Sequence, residues 1–83
     1  MNVGMLWFDN DPRTALAAKV ARAADYYRRK YGIVPDLCLV HPSMLAGSHP
    51  DPMEGKNGKV VLRPNHSIQP GHLWIGNEEK NAL

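Results

Sequence analysis

Two rhythms of apolar residues divide this chain. Val3–Phe8 is an unbroken apolar run closed by Asp9, and its shortness and aromatic content predict a buried strand rather than a helix. From Pro12 to Tyr31 the spacing changes. Leu16, Val20, Ala23, Ala24, Tyr27 and Tyr31 recur at intervals of three and four, which places them on one stripe of a helix. Lys19, Arg22, Asp25 and Arg29 then fall on the other side. Asp11 is the expected N-cap, with Pro12 in the first helical position. Arg28, Arg29 and Lys30 suit the negative end of the helix dipole, Gly32 is the expected left-handed stop, and Pro35 prevents continuation.

Short runs return after the helix. Leu37–His41 reads as a second strand, Lys59–Arg63 as a third and His72–Gly76 as a fourth. Ser43-Met44-Leu45 forms at most one helical turn. The breaker-rich stretch from Gly47 to Gly58 makes 43–58 a mobile loop, Pro70-Gly71 marks a tight turn, and 77–83 is a polar tail. Strand, helix, strand is a βαβ unit, whose two strands run parallel with a right-handed crossover. The expected fold is therefore a single α/β domain over 1–83. It is a two-layer βαβββ arrangement with one amphipathic helix on a mixed four-stranded sheet, the order of its third and fourth strands left open.

These strands are apolar on both sides. In the first, Val3, Met5 and Trp7 oppose Leu6 and Phe8; in the second, Leu37 and Leu39 oppose Cys38 and Val40. Such strands belong to sheets covered on both faces, yet one long helix covers one face. A second copy of the chain is the expected lid, as a homodimer or higher oligomer, with Leu6, Trp7, Phe8 and Trp74 at the contact. A loop folding over the sheet is the internal alternative.

Length and charge narrow the picture further. At 83 residues the chain is near the lower limit for independent folding, where oligomerisation often supplies missing stability. Cys38 is the single cysteine, so no disulfide can form within one chain. It reads as a small buried hydrophobe in a reducing compartment, which with the absence of a signal peptide predicts a soluble cytoplasmic protein. No run approaches the length of about 20 apolar residues that a membrane helix needs, so no membrane partner is expected.

Three groups of side chains could carry chemistry. Asp9, Asp11 and His41, with Ser43 nearby, would gather at the carboxyl edge of two parallel strands and could hold a hard divalent ion, although strand ending and helix capping also explain the two aspartates. No cofactor is predicted beyond that metal. The residues Phe8–Thr14 resemble the aspartate motif of the haloacid dehalogenase-type phosphatases, with Thr14 one position late and the chain too short for the rest of that fold. A first strand ending in aspartate also resembles the small CRISPR-associated dimers of ferredoxin-like fold, over the first half only. Arg13, Lys19, Arg22 and Arg29 form a basic helix side that could meet phosphates, although the net charge of +2 does not itself demand nucleic acid. His41, His49, His66 and His72 show no tight ligand spacing. The reading that follows is a homo-oligomeric interaction module without catalysis. A nucleic-acid-associated factor and a metal-dependent hydrolase or nuclease are the two alternatives.

Overall fold

The computed structural model describes residues 3–45, 53–55 and 58–77. The first apolar run is β1 (Val3–Phe8), and the helical stripe is α1 (Leu16–Tyr31). Then come β2 (Leu37–Val40), a 3-10 turn over Pro42–Leu45, β3 (Met53–Gly55), β4 (Gly58–Pro64) and β5 (His72–Asn77). The strands lie in the order β1-β5-β2-β4-β3. β5 is antiparallel to both β1 and β2, so those two run in one direction with β5 between them. The unit is a split βαβ. β4 joins β2 in parallel, and β3 closes the far edge antiparallel to β4.

One α-helix thus packs on a mixed sheet of four principal strands, with the short β3 added at its edge. That addition corrects the expected loop over 43–58: Met53–Gly55 is strand, paired antiparallel with β4 from Met53↔Val60 to Gly55↔Gly58. The rest of that stretch, 46–52 and 56–57, lies outside the described residues, as do 78–83 of the expected tail. The resemblance to ferredoxin-like dimers stops at the split βαβ, because α1 is the one α-helix among the described residues and β1 is an edge strand.

Register decides which side chains meet α1. Met5 and Trp7 lie opposite Ile75 and Leu73, which in turn lie opposite Cys38 and Val40, so these six share one face. Val60 and Leu62 of β4 join them. Against this layer pack Val20, Ala23, Ala24 and Tyr27, with Leu16, Met44 and Leu45 at its margin. The two alanines let the helix backbone come close to the sheet. Tyr27 is 1 % exposed, and its hydroxyl donates to Asn77 Oδ1 at 3.0 Å. Asn77 Nδ2 donates onward to the Val34 carbonyl at 2.9 Å, tying helix, β5 and the approach to β2 together.

The helix departs from expectation at its start and on two of its sides. Asp11 does not cap it. The Asp11 carboxylate instead accepts the Arg13 N–H at 2.9 Å and the Thr14 hydroxyl at 3.0 Å, closing a separate turn with Pro12 at its second position. Ala15 then extends, and α1 begins at Leu16 without a side-chain cap. The end is as expected: Gly32 adopts φ 71°, and its N–H donates to Arg28 O at 2.8 Å. Lys19 is buried rather than solvent-facing, because it is three residues after Leu16 and four before Ala23, on the apolar stripe itself. Its stem packs inward and its ammonium donates to the Asp9 carbonyl at 3.0 Å. Tyr31, expected on the stripe, is 46 % exposed.

Candidate interaction surface

The sheet face away from α1 carries Gly4, Leu6 and Phe8 from β1, His72 and Trp74 from β5, Leu37 and Leu39 from β2, and Val61 and Arg63 from β4. Leu6 and Phe8 are each 60 % exposed, while Leu39, Val61 and Trp74 are half-buried and Leu37 is buried. The Trp74 indole lies flat across Gly4, where a Cβ would run into the ring and stand 2.6 Å from the Ile75 carbonyl oxygen. Glycine here lets the aromatic ring settle on the sheet. Phe8 and His72 are ring neighbours at 4.9 Å on the same face. Lys59 and Arg63, exposed on β4, put positive charge at one margin. The surface has an apolar centre and a partly polar rim.

Of the four contact residues expected from sequence, Leu6, Phe8 and Trp74 share this face. Trp7 does not. Alternation points it to the helix side, where its ring lies 5.3 Å from that of Tyr26. Its indole N–H is buried without a hydrogen-bond partner among the described residues.

The metal constellation is not assembled. Among the described residues no three His, Cys, Asp or Glu side chains gather as a ligand set. Asp9 ends β1 and His41 follows β2, but β5 stands between those strands, which separates their backbones by about 10 Å. Each group is also committed elsewhere. Asp9 Oδ1 accepts the Asp11 N–H at 3.1 Å, and its other oxygen lies 4.0 Å from Arg22. The bonds to Arg13 and Thr14, and more weakly the charges of Lys19 and Arg22, hold the Asp11 carboxyl below its ordinary value. His41 Nδ1 accepts the Ser43 N–H at 3.1 Å, capping the 3-10 turn, with Ser43 Oγ at 2.8 Å. An imidazole that accepts at Nδ1 carries its proton at Nε2, so it offers no lone pair to a metal there.

The basic helix side is thinner than its composition suggests. Lys19 is buried, Arg22 faces Asp9, and Arg28 and Arg29 hold Asp25 at 3.4 and 3.1 Å. Arg13 is exposed beside the Asp11 turn. Lys30 stands over two aromatic rings, 5.9 Å from the centre of Tyr26 and 5.4 Å from that of Tyr31. The sequence reading did not single out this Tyr26–Lys30 pair, although its spacing of four signals a shared helix face. Cys38 is fully buried, and burial pushes its thiol up to about 12, so it is a core hydrophobe. No described helix is long and apolar enough to cross a membrane. The chain matches no protein family, no curated protein and no solved structure.

Proposed function

We propose that the protein is a small self-associating interaction module whose helix-free sheet face packs against the same face of a second copy. The observation that carries this reading is the 60 % exposure of both Leu6 and Phe8 beside Trp74, Leu39 and Val61, on a sheet whose one helix lies on the other side. Fully burying a large apolar side chain is worth about 1.5–3 kcal/mol, and a two-fold pair shields both patches at once. Four strands of four to seven residues make a face of about 400 Å² in plan, which suits a weak, reversible pair below about 1,200 Å² rather than an obligate dimer. Asp9, Asp11 and His41 are held in local hydrogen bonds, and Cys38 is buried in the core.

Sedimentation velocity from about 10 μM to about 1 mM tests it, a range spanning micromolar affinity. The weight-average coefficient should climb from monomer toward dimer. Phe8→Glu, at an exposed position on the face away from the helix-side core, should keep the circular dichroism spectrum and stay monomeric throughout. A wild-type chain that remains monomeric at the top concentration would overturn the proposal. Nucleic-acid binding with a steep salt slope would favour the basic-helix alternative instead.

A further inference from the structure

The outer edge of β1 is a second surface, distinct from the face just described. β1 is the terminal strand of the sheet and pairs residue for residue with β5, from Val3↔Asn77 to Phe8↔His72. The Asp9 N–H continues that ladder to Gly71 O at 2.9 Å. In an antiparallel ladder successive residues turn their backbone groups to alternate sides. Asp9, Trp7, Met5 and Val3 therefore point theirs at β5. Gly4, Leu6 and Phe8 point their N–H and C=O groups outward, with no strand beyond them among the described residues.

Edges of this kind are usually blunted by charge, proline, a bulge or shortness. Val-Gly-Met-Leu-Trp-Phe has none of these. The opposite edge, β3, is three residues long.

Above the β1 edge, on the helix side, runs a row of side chains one turn apart: Arg22, Tyr26 and Lys30. Tyr26 anchors the row at 5.3 Å from Trp7, Arg22 reaches 4.0 Å from Asp9 at the strand's end, and Lys30 lies over the Tyr26 ring at 5.9 Å. Arg22 and Lys30 are eight residues apart, a rise of about 12 Å along the helix. Four residues of an extended strand cover about 13 Å. The two cations thus match carboxylates four residues apart on one side of an added strand, while the side chains at i+1 and i+3 turn toward Leu6 and Phe8.

We infer that the β1 edge receives, by strand addition, an extended segment of a partner protein with acidic residues at positions i and i+4 and apolar residues at i+1 and i+3. A second copy of β1 fits this edge poorly. It would bring Met5 and Trp7 where acids are needed, and a two-fold pairing would set one Arg22–Lys30 row against another. Strand addition draws its affinity from backbone bonds and its selectivity from alternate side chains.

Fluorescence anisotropy with a labelled peptide, Ser-Glu-Val-Thr-Val-Glu-Val-Ser, tests this on the full chain. Saturable, salt-sensitive binding is expected, weakened at least about tenfold when both Glu are replaced by Lys or when Lys30→Glu reverses the row. Lys59→Glu, on β4, should leave affinity unchanged. Peptides N-methylated at alternate amides, made in both phases, separate strand addition from adhesion to the apolar face: one phase should lose binding. Equal binding of the parent and both N-methylated peptides, equal binding of the lysine peptide, or no binding would overturn the inference. Sedimentation of the same samples reports self-association independently.

Discussion

Gly4 shows how one missing side chain shapes a surface. Without a Cβ, β1 accepts the Trp74 indole close against its backbone on the open face. Gly4→Ala forces the ring and the Ile75 carbonyl apart, since 2.6 Å is well inside contact distance. A loss of about 1–3 kcal/mol is expected, the range for overpacked sites, read as a lower urea midpoint at unchanged slope. The same residue-scale reasoning explains Lys19. Its charge suggested solvent, but its spacing from Leu16 and Ala23 places it on the buried stripe, and spacing prevailed because the long stem lets the ammonium reach the Asp9 carbonyl.

At the scale of elements, the Asp11–Thr14 turn and α1 are separate units joined at Ala15. Aspartate before proline serves equally as a helix N-cap or as the first residue of a turn, so the local sequence is degenerate, and here the turn won. The depressed Asp11 carboxyl carries a definite sign. The unfolded chain takes up a proton more readily than the folded one as pH falls through the ordinary value of 3.8. The turn's contribution is therefore complete above that pH and lost below it. Asp11→Asn keeps an acceptor oxygen for the Arg13 N–H, can donate from its amide nitrogen to the Thr14 hydroxyl oxygen instead of accepting from it, and cannot titrate. Its melting temperature should match wild type near neutrality and fall less steeply in acid, as a thermal melt series in pH would show. Replacement by Asn that left the acid limb unaltered would assign that limb to other carboxylates.

For the whole molecule, the proposed self-association would make stability depend on concentration. A partner that binds the folded form stabilises it by mass action, so the melting temperature should rise with protein concentration for wild type and stay flat for Phe8→Glu, as differential scanning calorimetry can record. Much of this architecture was legible in the chain. The bounds of β1 follow from an apolar run stopped by Asp9, the end of α1 from Gly32, and the two-sided apolarity of the strands from simple alternation. The strand order was not. Placing β5 between β1 and β2 is a choice among distant segments, and nothing within either run encodes its neighbour. β3 looks like loop in the sequence because Pro52 precedes it and Gly55 ends it after only three residues. Trp7, expected at the open face, is sent to the core side by its register with Leu73 and the alternation of β1.

The split βαβ has a consequence for synthesis. The strand that binds β1 to β2 is the last of the five to be translated, so a growing chain that has already made its helix still holds two apolar ribbons with nothing to join them. β2, β3 and β4 can pair earlier, but the attachment of β1 to the rest of the sheet must wait for residues 72–77 to emerge. A nascent polypeptide halted before His72 would be a client for chaperones rather than a partly folded domain.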